Sequence, residues 1–189
     1  AVRRRRESLG LRLAAIAAGV CAYCYLEVVV LRAVDDILIG SLAFSNGQNQ
    51  EGAAWVFLGT PTGVAVAPVW TKEGAQVLAR FGSAVGNAGD VNGDGYADIL
   101  VGAQTFDNGQ TDEGRAFLYI GGPSGPAASP TQVFESNVES ASFGIAVGTA
   151  GDVNGDGFAD WILGANHETD DQTQEGKAFL YLGAATVGS

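Results

Sequence analysis

Asp90-Val91-Asn92-Gly93-Asp94-Gly95-Tyr96-Ala97-Asp98 returns 62 residues later as Asp152-Val153-Asn154-Gly155-Asp156-Gly157-Phe158-Ala159-Asp160. Its surroundings return with it: Phe81-Gly82 as Phe143-Gly144, Gly102-Ala103 as Gly164-Ala165, and Glu113-Gly114 as Glu175-Gly176. Between residues 81–121 and 143–183, 26 of 41 positions are identical without a gap. A period of that length, held in register, marks a modular array rather than one irregular globule.

Each unit reads as four short strands: A over 81–88, B over 97–103, C over 114–120 and D near 131–135. These runs are rich in Val, Ile, Leu, Phe and Tyr and are bounded by Gly, Asn, Asp or Pro, as strands are. Strand C is apolar almost throughout (Ala116-Phe117-Leu118-Tyr119-Ile120), which suits a sheet covered on both faces. No window sustains a 3.6-residue apolar period, so helical repeats are disfavoured. Four-stranded sheets repeated at this interval and packed face to face predict an all-β fold, a β-propeller with one blade per unit. Blades are expected at about 33–76, 77–138 and 139–189. Blade one should supply strands B, C and D, blade two all four, and blade three A, B and C. That is an incomplete propeller arc, and the remaining blades of a larger propeller are expected as partners.

The acidic loop has the chemistry of a hard-cation site. Asp90, Asn92, Asp94 and Asp98 occupy positions 1, 3, 5 and 9, with the carbonyl of Tyr96 at position 7. The second copy offers Asp152, Asn154, Asp156 and Asp160, with the carbonyl of Phe158. Gly93 and Gly95 allow the left-handed backbone that wraps an ion. Oxygen donors alone select calcium over zinc or copper. An EF-hand needs a glutamate at position 12, where this chain has Val101 and Leu163. A plain Gly/Asp turn, with no ion, is the competing reading.

Phe-Gly, the Asp-x-Asn-x-Asp-Gly-x-x-Asp loop, a strand and then Gly-Ala together resemble the FG-GAP repeat of integrin α-subunit propellers. The family's Gly-Ala-Pro is here Gly102-Ala103-Gln104, Gly164-Ala165-Asn166 and, in the first unit, Gly40-Ser41-Leu42. The resemblance covers residues 35–189. It implies calcium in the A–B loops on one face of the propeller. It also implies a protein or glycan ligand on the opposite face, at loops near 41–51, 104–112, 166–174, 71–80 and 135–142. Similar repeats occur in bacterial secreted proteins and in the glycosylphosphatidylinositol-specific phospholipase D type. Two functions therefore compete: an adhesion or ligand-binding module of a secreted or cell-surface protein, and a non-catalytic propeller attached to a secreted hydrolase.

Charge agrees with an acidic, cation-binding module. The chain carries −11 overall. Residues 1–32 hold six Arg against Glu7 and Glu27, whereas 33–189 hold four basic side chains against 19 acids. With no basic stripe over the repeats, nucleic acid is not expected as a partner. Residues 1–32 form an atypical segment, with Arg3 to Arg6 before an apolar run that Arg12 interrupts. A leader, a truncated or misread end, and a divergent cap are its three readings. Shifting the repeat back one period places the acidic loop at 28–36, where Val28, Val30 and Arg32 replace the ligands and only Asp36 remains. Cys21 and Cys24 lie in that segment without a second ligand pair, so zinc is not implied. The single histidine, His167, sits in a polar loop, and no serine has a nucleophile-elbow setting. Catalysis is not expected, and Trp55, Trp70 and Trp161 are assigned to packing.

Overall fold

The computed structural model describes residues 26–30, 36–169 and 174–187. The first blade is built from β1 (Leu26–Val30), β2 (Ile37–Ser41), β3 (Ala53–Phe57) and β6 (Trp70–Glu73), with a small hairpin of β4 (Gly59–Thr60) and β5 (Gly63–Val64) between β3 and β6. The second is β7 (Phe81–Gly89), β8 (Asp98–Ala103), β9 (Arg115–Tyr119) and β10 (Gln132–Glu135). The third is β11 (Phe143–Gly151), β12 (Asp160–Ala165) and β13 (Lys177–Tyr181). Every strand pairing within a blade is antiparallel. No described residue is helical. The chain is all-β, an arc of propeller blades.

One expectation is corrected. The repeat register gives blade one three strands and sets a degenerate loop over 28–36. Leu26–Val30 instead pairs antiparallel with β2, from Leu26 opposite Ser41 to Val30 opposite Ile37, and takes the A position. Leu-Glu-Val-Val-Val has the β-branched character that a strand favours. The cysteine pair, Arg32 and the leader reading lie outside the described residues.

The core lies between successive blades. In β8, Ile99, Val101 and Ala103 pack toward blade one with Leu38, Val56, Trp70 and Phe81. Leu100, from the other face of the same strand, packs toward blade three with Leu118, Phe143, Trp161 and Leu163. Alternation with a period of two therefore divides one strand between two interfaces. All three tryptophans are buried, as expected. Blade three shows the same alternation with one face open. Ile162, Leu180 and Leu182 are 40%, 52% and 52% exposed. Their counterparts one repeat earlier are Leu100 and Leu118, both fully buried, and Ile120, which packs on the same core.

The two dipeptides that frame each repeat explain how blades join. The N–H of Phe81 donates to the carbonyl of Glu51 at 3.0 Å, and that of Phe143 to Glu113 at 2.9 Å. These bonds form short parallel bridges, Gly52 with Phe81 and Gly114 with Phe143. The Gly of Phe-Gly turns left-handed, at φ +77° for Gly82 and +80° for Gly144, and its carbonyl presses on the strand-B glycine of the preceding blade. A Cβ on Gly40 would strike Gly82 O, and one on Gly102 would strike Gly144 O. The Phe-Gly and Gly-Ala signatures are thus two sides of one contact.

Candidate metal centre

Each acidic loop follows the inner strand of its blade, after a glycine whose left-handed backbone breaks the ladder (Gly89 and Gly151). The loop then folds on its own carboxylates. Asp90 accepts the N–H of Gly93 (2.7 Å) and Asp94 (3.1 Å) through Oδ1, and that of Gly95 (2.8 Å) through Oδ2. Asn92 Oδ1 accepts from Asp94 N–H, and its Nδ2 donates to Asp94 Oδ2, both at 3.1 Å. Asp94 Oδ1 accepts the N–H of Tyr96 at 2.9 Å. The second loop repeats the set, with Asp152 accepting from Gly155, Asp156 and Gly157, Asn154 paired with Asp156, and Asp156 accepting from Phe158.

Positions 1, 3 and 5 form the loop tip, exposed at Asp94 and at Asp152, Asn154 and Asp156 and half-buried at Asp90 and Asn92, with Tyr96 and Phe158 half-buried beside it. Position 9 is different. Asp98 and Asp160 are fully buried. Asp98 accepts N–H bonds from Val91 (2.8 Å) and Gly121 (2.7 Å), and Asp160 from Val153 and Gly183, both at 2.8 Å. This carboxylate joins the start of its own loop to the turn after strand C, a role that the ligand spacing alone did not reveal. Burial pushes the Asp98 carboxyl up to about 6, the Gly121 and Val91 amides pull it down, and the charges of Asp94 and Asp90 push it further up. Among the described residues no three His, Cys, Asp or Glu side chains already converge as a cage. The donor set is nevertheless all oxygen, the chemistry that a hard cation takes, with two carboxylates and an amide in the outer loop and a third carboxylate buried behind them.

The other end of each sheet is built from the B–C and D–A loops, which interlock between blades. Gln76 donates through Nε2 to Asp107 O (2.9 Å) and accepts from Asp107 N–H (2.8 Å), while Thr105 Oγ1 donates to Leu78 O at 2.6 Å. Asn46 Nδ2 donates to Glu73, and Asn108 Nδ2 to Glu135. Arg115 adds an ion pair to Glu135 and stacks 4.6 Å from the Phe106 ring centroid. Among the described residues, the nine non-glycine positions with left-handed backbone all lie here, at repeat-equivalent places: Gln50, Asp112 and Gln174; Ala75 and Asn137; Leu78 and Ser140; Arg80 and Ser142. His167 is exposed, as expected, and its backbone N–H donates to Ala141 O.

A repeated four-stranded blade, closed by Phe-Gly and carrying an Asp-rich A–B loop, defines a propeller repeat of one class. Residues 81–119 and 143–181 match the FG-GAP repeat, so the chain carries two FG-GAP repeats. It is 37% identical over 147 residues to Integrin alpha-PS2 of Drosophila melanogaster, a match covering 70% of this chain and 10% of that one. It is 32% identical over 141 residues to Integrin alpha-5 of Xenopus laevis and 32% over 138 residues to Integrin alpha-IIb of Homo sapiens, each covered to 13%. The chain thus spans about a tenth of the length of the curated relatives it matches.

Proposed function

We propose that this chain is a calcium-binding, non-catalytic propeller module of a secreted or cell-surface protein, acting in adhesion or ligand binding. The observation that carries the reading is the twofold recurrence of the acidic loop at one end of the sheets, with an interlocked loop face at the other. Asp90, Asn92, Asp94, Asp98 and the Tyr96 carbonyl would hold one ion, and Asp152, Asn154, Asp156, Asp160 and the Phe158 carbonyl a second. When bound, calcium supplies positive charge that offsets the mutual repulsion of the loop carboxylates. The chain's own residues divide the remaining work. The outer three present oxygen to solvent, while Asp98 and Asp160 fix each loop to its blade. The likeness to integrin α chains supports a protein or glycan ligand on the face formed by 41–51, 71–80, 104–112 and 135–142, and further blades beside this arc.

Calorimetric titration with calcium tests the reading. Two ions should bind per chain, Asp94→Ala should reduce this to one, and Asp94→Ala with Asp156→Ala should abolish uptake. At about 100 times its dissociation constant, each ion should add about 2.7 kcal/mol to stability. Asp98→Asn should act on the fold as well as on its ion, lowering stability by about 1–3 kcal/mol even in chelator, because one buried amide loses its acceptor. No uptake by the folded chain would defeat the assignment.

A further inference from the structure

The chain holds four Asn-Gly pairs, at Asn46-Gly47, Asn92-Gly93, Asn108-Gly109 and Asn154-Gly155. They occupy two repeat-equivalent settings. We propose that Asn46 and Asn108 are sites of spontaneous deamidation, and that Asn92 and Asn154 are protected from the same reaction by their loops. In the reaction the glycine nitrogen loses its proton and attacks the asparagine Cγ. The Cγ–Nδ2 bond then breaks, ammonia leaves, and a five-membered succinimide remains. One water opens either of its carbonyls, giving aspartate or isoaspartate. The step needs a glycine N–H free to lose its proton and a side-chain amide free to turn toward it.

The acidic loops deny both. Gly93 N–H is bound to Asp90 Oδ1 and Gly155 N–H to Asp152 Oδ1, each at 2.7 Å. The Asn92 amide is held from both ends by Asp94, at 3.1 Å and 3.1 Å, and that of Asn154 by Asp156, at 3.0 Å and 2.8 Å. A carboxylate accepting an N–H also opposes that proton's loss. The B–C loops differ at each point. Gly47 and Gly109 are exposed, and their N–H groups meet no acceptor among the described residues. Both stand in open space, with left-handed backbone at φ +101° and +115°. Asn46 and Asn108 are exposed, and their side-chain amides are each tied at one end only, Nδ2 donating to Glu73 (3.0 and 3.2 Å) or Glu135 (3.1 and 3.0 Å), while the backbone N–H of Asn46 donates to Glu51 at 2.6 Å.

The product changes the loop face. A donor to Glu73 or Glu135 becomes a carboxylate against a carboxylate, and isoaspartate also inserts a methylene into the backbone. Glu135 keeps Arg115 at its other side. Each reaction thus removes one tie between a B–C loop and the D strand, while the backbone bonds from Leu78 to Asn49 and from Ser140 to Thr111 remain.

The full chain is incubated in mildly alkaline buffer and in denaturant, then digested and mapped by mass spectrometry with isoaspartate resolved. In buffer, Asn46 and Asn108 should convert at least about tenfold faster than Asn92 and Asn154, the factor for first breaking one charge-assisted hydrogen bond. In denaturant the four rates should converge. Asp90→Ala, which frees the Gly93 N–H, should raise the Asn92 rate, and adding Asp94→Ala, which frees the Asn92 side-chain amide, should bring it up to the rate of Asn108 in the same sample. Equal rates at all four sites in buffer, inert Asn46 and Asn108, or an Asn92 unmoved by Asp90→Ala would each overturn the proposal.

Discussion

Replacing Gly102 by alanine tests the joint between blades directly. An added Cβ there would lie on the carbonyl oxygen of Gly144, far inside contact distance. The obstacle is backbone, so no rotamer change relieves it. Relief requires β11 to move away, which loosens the Gly114–Phe143 bridge and the 2.9 Å bond from Phe143 N–H to Glu113 O. Overpacking of this kind costs about 1–3 kcal/mol, and an immovable carbonyl places this case at the upper end. At about 2–4 °C per kcal/mol for a chain of this size, the melting midpoint should fall by roughly 6–12 °C. Gly164 provides the control. It holds the equivalent place in blade three, but there the added Cβ meets only Ala146, with its Cβ at 3.3 Å. Gly164→Ala should be neutral, or stabilising by up to about 1 kcal/mol, because alanine loses less backbone freedom than glycine in a strand. Thermal melts of both variants decide the matter. If Gly102→Ala melts no lower than Gly164→Ala, the close approach is not what holds the blades together.

Phe143→Ala should cost about 3–5 kcal/mol in denaturant titration, since the ring is 1% exposed and packs 5.2 Å from Phe179; a loss below about 1 kcal/mol would contradict the inter-blade core. Burial pushes the Glu113 carboxyl above its usual range, only partly offset by the backbone N–H of Asn108. A raised folded-state value means that the folded chain holds this proton more tightly, so its contribution is full below about pH 4.3 and is lost as pH rises past the raised value. Melts of Glu113→Gln across that window should show a shallower decline than the parent; parallel curves would refute it. Arg115→Lys should lose about 0.5–1.5 kcal/mol, because lysine keeps the charge near Glu135 but not the planar contact with Phe106.

The period, the strands of blade two and the acidic loop were all legible in the residues, because each depends on local chemistry repeated in register. Strand β1 was not. Its apolar run Leu26 to Val30 is a strand signal in itself, but carrying the 62-residue register backward set a loop over it. The dual service of Asp98 was hidden for another reason: a carboxylate at position 9 looks the same whether it faces an ion or two amides, and only the arrival of Gly121 from 23 residues away separates the cases. Blade three also departs silently from its siblings. Phe44 and Phe106 fold over Trp55 and Phe117, yet the same place holds Glu168, which is nearly buried with one carboxylate oxygen unpaired.

The joint between blades also bears on the order in which the chain becomes stable. A blade's Glu-Gly corner has no partner until the Phe-Gly of the following unit reaches it, so each sheet is finished by residues synthesised after it. Coupling of this nearest-neighbour kind makes stability a property of adjacent pairs. Amide protons of β8, clasped on both faces, should exchange last with deuterium, and those of β12 and β13 well before them. During synthesis, order would then travel along the arc from the amino-terminal side, one corner at a time, with the newest blade always the loosest.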